Sequence, residues 1–262
     1  MVDYIHGHGE SVLRAHRLRT AANSAAYLVP LLSKGQSLLD VGCGEGTITR
    51  DLARSVAPGE VVGVDSAQEV IELAQAGEQL ANLSFQTGDI YNLGLPRRFD
   101  VVHAHQIMHH LPDPVGAFQA LAAVTKPGGV IANREGDFSA AFWYPECAGW
   151  GIWQRAFLQV GRAQGRDLSV ARKLPAILKQ ANIGEVTVSA SVWTYPGFAS
   201  LEDLAESWAG RLTEPPFSDL AEESRVANKA ILAEAAQQIK SWARQPEAFF
   251  AFPHVEVIVK VS

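Results

Sequence analysis

The chain reads as an α/β protein built on a mostly parallel sheet, and three features predict it. Short β-branched runs alternate with helical runs through residue 135. These runs end in glycine or in an acid, as strands that open onto a ligand crevice do. The chain then closes on "HVEVIVKVS", residues 254–262, which alternates like a half-buried strand.

Taken in order, "SLLDVG" (37–42) predicts a first strand, and "TITRDLARSVA" (47–57) has helical apolar spacing that Pro58-Gly59 ends. "EVVGVD" (60–65) is a second strand, and residues 66–81 predict a helix with Ser66 as N-cap and Val70, Ile71, Leu73 and Ala74 on one face. "LSFQTGD" (83–89) and "FDVVHAH" (99–105) supply the third and fourth strands. Asp113 and Pro114 read as N-cap and first residue of a helix over 114–125, which "KPGG" stops before a fifth strand, "VIANRE" (130–135). Strands joined in this way require right-handed crossovers.

Beyond residue 135 the rhythm changes. Residues 138–163 are aromatic-rich and predict a helix, 169–183 an amphipathic helix, 185–193 a strand, and 200–246 a mostly helical insertion. At the other end, Val12, Leu13, Leu18, Ala21, Ala25 and Leu28 predict an amphipathic helix within an N-terminal cap (1–30). The expected organisation is one domain: a core over 37–135 with helical insertions at 138–163 and 197–250 that act as lids over the crevice.

Bulk properties narrow the class. A chain of 262 residues that is 47% hydrophobic and 19% charged can bury a sizeable core. Its net charge of -6, without like-charge runs, offers no footprint for a phosphate backbone, so no nucleic-acid partner is expected. Two cysteines cannot build a disulfide framework, the first residues lack a signal-peptide core, and no run approaches the roughly 18 apolar residues of a membrane span. A cytoplasmic protein is the expectation, and the sequence is silent on oligomeric state.

The sharpest motif is "LLDVGCGEGTIT" (38–49), with glycines at 42, 44 and 46. The dinucleotide fingerprint G-x-G-x-x-G needs its third glycine where Thr47 stands. Such a loop lets backbone pass close to a ligand without aiming a helix at a pyrophosphate. Asp65 ends the second strand, where a carboxylate can accept ribose hydroxyls, and Asp89 ends the third in "GDI", facing a base edge. Asp40 lies inside the first strand and Cys43 is a small loop residue.

In "LDVGCGEG", "VVGVD", "TGDI", "FDVVHAHQIMHHLPDP" and "KPGGV", over residues 37–131, the chain resembles the class I S-adenosylmethionine-dependent methyltransferases, closest to the small-molecule enzymes of the ubiquinone and menaquinone type. The resemblance implies a Rossmann-like, seven-stranded, mostly parallel sheet with an antiparallel last strand. It implies S-adenosylmethionine as cofactor, with Gly42 and Gly44 along its methionine part, Asp65 on the ribose, and Asp89 and Ile90 at the adenine. Asp40, Cys43 and Ser66 complete that lining. It also places Tyr4, His6 and His8 of the leading segment against the cofactor carboxylate or the substrate.

Four histidines crowd residues 103–110. His103 and His105 are two apart on a strand and share a face near its carboxyl end. Nothing stands at metal-motif spacing, so no metal site is expected. His105 is the foremost candidate for a cofactor or substrate contact and a general base, with His109 and His8 as further candidates. The predicted function is methyl transfer to a small-molecule acceptor through an O, N, S or C atom. The alternatives are a protein that binds the cofactor without methyl transfer, as a regulator or metabolite cyclase, and an RNA or protein methyltransferase.

Overall fold

The computed structural model describes residues 17–95 and 98–262. They divide into two compact units, one of residues 19–135, 171–190 and 255–262, the other containing 136–170 and 191–254.

The first unit, the core unit, is the α/β part. Its strands are β1 (Leu38–Val41), β2 (Val61–Asp65), β3 (Leu83–Thr87), β4 (Phe99–His105), β5 (Thr125–Gly136), the first part of β7 (Gly184–Tyr195) and the last part of β8 (Phe249–Val261); residues 191–195 and 249–254 of these two strands, with β6 (Phe142–Tyr144), fall in the other unit. The order is β3-β2-β1-β4-β5-β8, and β7 pairs with β8. β1 runs parallel to β2 and β4, as do β2 to β3 and β4 to β5. That is the doubly wound order, with chain reversal between β1 and β4.

The helices of this unit follow the local signals. Gly46 is left-handed at the start of α2 (Thr47–Val56), whose Ile48, Leu52, Ala53 and Val56 are buried at helical spacing. Helix α3 (Gln68–Ala76) starts later and stops earlier than the sequence suggests. Its N-cap position is Ala67, not Ser66, and the Ala67 amide is instead held by Asp65 Oδ1 at 3.2 Å. Asp113 caps α4 (Pro114–Ala123) through the Gly116 amide at 3.0 Å, as its sequence implies. In the N-terminal segment, Thr20 is extended and forms a capping box with Asn23 for the short α1 (Ala21–Ser24), where the sequence predicts a longer helix; Val12 and Leu13 of that prediction lie outside the described residues.

The second unit departs most from expectation. The single helix predicted over 138–163 is a short 3-10 turn, the strand β6 and then α5 (Ala148–Ala163). Pro145 cannot continue a helix through this point, and β6 finds an antiparallel partner in Phe249–Ala251 of β8. Among the described residues the sheet therefore has eight strands rather than seven, and the last of them, β8, carries the antiparallel pairing. Residues 169–183 also shorten, to a 3-10 turn and α6 (Leu174–Ala181) of the core unit, with Pro175 in its first turn. Helices α7 (Leu201–Thr213), α8 (Phe217–Glu223) and α9 (Lys229–Trp242) complete the fold.

Candidate functional site

The carboxyl ends of β1, β2 and β4 gather most of the residues that the sequence singles out. Gly42, φ +73°, leaves β1 where a Cβ would collide with the side chain of Ile107, so the turn after β4 packs directly on the glycine loop. Gly44, φ +56°, has open space where a side chain would project. Its amide donates to Asp65 Oδ2 at 3.0 Å, which ties the loop to the end of β2.

A carboxylate offers about four acceptor positions, and the two amide bonds to Asp65 leave acceptor capacity for ribose hydroxyls. The Arg50 guanidinium donates to the carbonyls of Glu45, Ala74 and Glu78, bracing the loop against the end of α3. Glycine backbone and one acid at the end of β2 fit an adenosine bearing a sulfonium. The third glycine of the dinucleotide fingerprint is replaced by Thr47.

Other positions turn out more structural than the sequence suggests. Asp40 is buried, with Oδ2 accepting from Thr49 Oγ1 at 2.6 Å and Oδ1 bonded to His103 Nδ1 at 2.7 Å, so it locks α2 and β4 onto β1. The Cys43 thiol is pushed well above its ordinary pKa by burial and by the charges of Asp40 and Asp65, which makes it a poor nucleophile. Ser66 is exposed beside Asp65. β3 ends at Thr87, so Asp89 stands beyond the strand, exposed, with Oδ1 accepting from the Tyr91 amide at 2.9 Å, while Ile90 is buried. Tyr91 in turn exchanges hydrogen bonds of 3.1 Å with the backbone of Asp113 and joins this loop to α4. Tyr4, His6 and His8 lie outside the described residues.

The histidine segment resolves into two pairs. His103 and His105 are buried on one face of β4 with rings stacked at 6.4 Å. His109 and His110 form the 3-10 turn Met108–His110, rings 3.9 Å apart. His109 Nδ1 meets Oε2 of Glu135, on β5, at 2.7 Å. Oε1 of Glu135 accepts from the amides of Ile107 and Met108, each at 2.9 Å, and from Asn133 Nδ2 at 3.0 Å. Burial pushes the Glu135 carboxyl up, but His109, the Met108 amide and Asn133 outweigh it and hold the acid below its usual range. On the other face of β5, Arg134 bonds Glu256 at 3.2 Å, and burial brings the guanidinium down to about 10 against the pull of Glu256.

Ile107 and Thr49 were not legible as site residues, because their partners are distant in sequence. Arg134, Glu135 and Asp137, at the end of the fifth predicted strand, read in the sequence as a border for an acceptor; Arg134 is bonded to Glu256, and Glu135 to His109 and the turn after β4. Among the described residues no group of three histidines, cysteines or acids could hold a metal ion, and no helix is long and apolar enough to cross a membrane.

A family model described as a methyltransferase domain matches residues 32–181, more than half of the sequence. The chain belongs to this methyltransferase family. An uncharacterized methyltransferase of Schizosaccharomyces pombe is 38% identical over 153 residues, 55% of each chain, so this chain spans little more than half of that relative. The "probable methyltransferase ltbC" of Aspergillus luteorubrus is 28% identical over 279 residues, covering 98% of this chain and 96% of its own. Among solved structures, phosphoethanolamine N-methyltransferase 2 of Haemonchus contortus, in complex with phosphomonomethylethanolamine and S-adenosylhomocysteine, superposes with a TM-score of 0.54 at 17% identity, over 88% of this chain and 50% of that one. The likeness at that identity is one of fold, the class I methyltransferase fold that the glycine loop and strand order describe.

Proposed function

We propose that this methyltransferase moves the methyl group of S-adenosylmethionine to the hydroxyl of a small molecule, of phenol or enol acidity, with a histidine as general base. The observation that carries the reading is the contact of the histidine turn, through Ile107, with Gly42 of the glycine loop. It supports the reading because His105 and His109 stand two residues before and after Ile107.

S-adenosylmethionine, when bound, supplies a sulfonium methyl that is already a good electrophile. The chain's residues then have three tasks: Gly42, Gly44, Asp65 and the Asp89–Ile90 turn bind and orient the cofactor, the buried strand ends exclude water, and a base removes the acceptor's proton. An imidazole of pKa about 6.5 is within a few units of a phenol near 10, so proton removal during attack is accessible at neutral pH. An aliphatic alcohol is far less acidic, and a neutral amine attacks before it loses a proton. The candidate bases are His105, His109 and His8. Acidic net charge without a basic run favours a small acceptor over RNA.

The test is transfer of labelled methyl from S-adenosylmethionine to a panel of 4-hydroxybenzoate, catechol, benzyl alcohol, benzylamine and thiophenol, beside transfer RNA. Labelled phenol ether, lost on alanine replacement of one of the three histidines, is the expected result. Cofactor binding by calorimetry with no labelled phenol ether would refute the acceptor class; full turnover in all three alanine variants would refute the histidine base.

A further inference from the structure

We propose that Glu135 is the positioning residue of this site: it holds His109 as the Nδ1–H tautomer, so that Nε2 is the ring nitrogen that takes the acceptor's proton. The assignment rests on the methyl-transfer reading above and adds which histidine acts, through which atom, and what sets it.

Both oxygens of the Glu135 carboxylate are engaged. The side chain is fully buried and meets four donors, three on Oε1 and the His109 ring on Oε2. A carboxylate only accepts hydrogen bonds, and a neutral imidazole has one N–H and one bare nitrogen. With Nδ1 at 2.7 Å from Oε2, a neutral ring carries its proton on Nδ1 and its lone pair on Nε2. The four donors together keep the acid ionised, so it does not itself donate to the ring.

The same carboxylate fixes where the ring stands. Gln106 is a non-glycine residue at φ +54°, a conformation that persists only where the surroundings impose it. Its amide is held by the Arg134 carbonyl at 2.8 Å, and the next two amides, Ile107 and Met108, are held by Glu135. Three consecutive N–H groups of the turn are therefore anchored on two adjacent residues of β5. This carries Ile107 onto Gly42 and leads directly into His109.

In the reaction, the acceptor O–H bond breaks toward Nε2 as the oxygen forms its bond to the methyl carbon. The electron pair of the broken carbon–sulfur bond stays on sulfur. The imidazolium formed on His109 is balanced by the Glu135 carboxylate until Nε2 passes its proton to water.

Glu135→Gln tests this without removing the anchor. The three donors on Oε1 require the amide oxygen there, which turns the amide NH2 toward His109 Nδ1 and forces that nitrogen to accept. The imidazole then carries its proton on Nε2 and can no longer act as the base. A merely structural glutamate would lose little, since the number of hydrogen bonds is unchanged.

Nitrogen NMR of histidine-labelled full-length protein reads the tautomer without any acceptor. Nδ1–H is expected in the native chain and Nε2–H in the variant. Phenol methylation is expected to fall about 100-fold in kcat. Cofactor affinity by calorimetry should stay within about twofold, consistent with loss of proton transfer alone. The remaining activity should lose the acid limb of its pH profile. An Nε2–H tautomer in the native chain overturns the proposal even where the variant fails to fold, as does a variant that keeps Nδ1–H. A switched tautomer with unchanged turnover also overturns it, and leaves methyl transfer standing. If the native chain methylates none of the phenols, the acceptor reading falls, and the tautomer alone then decides the Glu135 assignment.

Discussion

The core unit and the unit of residues 136–170 and 191–254 are held together by different chemistry. In the core unit, buried acids on the strands fasten polar groups on neighbouring elements: Asp40 joins Thr49 and His103, Glu135 joins His109 and the turn after β4, and Glu256 joins Arg134 and Ser189. In the second unit the interior is aromatic. Trp150 meets Trp153 and Trp242 edge to face at 5.3 and 5.7 Å, and Trp153 meets Trp208 at 4.8 Å. The indole N–H groups of Trp150 and Trp153 have no hydrogen-bond partner among the described residues. Directional bonds hold loops and ring tautomers in place, as a site requires. Stacked rings supply burial, with about 0.5–1.5 kcal/mol per favourable pair beyond it.

The difference predicts separable effects. Trp150→Ala, at a fully buried ring, should cost about 3–5 kcal/mol of stability, read as a lowered denaturant midpoint. Affinity of the folded protein for S-adenosylmethionine should not change; a large loss of affinity would show that the aromatic interior also shapes the cofactor site. Asp40→Ala should cost less, about 1.5–3 kcal/mol for hydrogen bonds to a charged group. It should also weaken cofactor binding in calorimetry, because Thr49 and the start of α2 lose their tie to β1. Unchanged affinity would mean that the glycine loop holds its shape without Asp40.

The smallest effect is expected at the opposite end of the strands. Burial pushes the Asp100 carboxyl up, but hydrogen bonds from Lys126 and Ser37 prevail and bring it to about 2. The folded value lies below the ordinary one of about 3.9, so this stabilisation is complete above about pH 4 and is lost as pH falls toward about 2. The side chain is about a third exposed, and screening limits its contribution to about 1 kcal/mol or less. Asp100→Asn should flatten the melting temperature against pH in that window and leave pH 7 activity intact. An unchanged acid profile would remove Asp100 from the account.

Much of the core unit was legible because its signals are local. Glycines at 42, 44 and 46 all take positive φ, which the sequence pattern requires of that loop. Asp113 and Pro114 mark the start of α4 in the same way. The helix expected over 138–163 was misread because helical and extended aromatic runs look alike until a partner strand appears, and that partner lies more than a hundred residues away. Ser66 is not the cap because α3 starts one residue later than the pattern suggests, with Ala67 at the N-cap position.

By itself the sequence determined the strand and helix alternation, the glycine loop, the acid at the end of β2 and the histidines after β4, since each depends on neighbours within a few residues. Tertiary structure alone decided which polar groups meet. Asp40 and His103 are 63 residues apart, and Glu135 and His109 are 26 apart. A ring's tautomer is set by the hydrogen bond at its other nitrogen, and that bond exists only once β4 and β5 are paired.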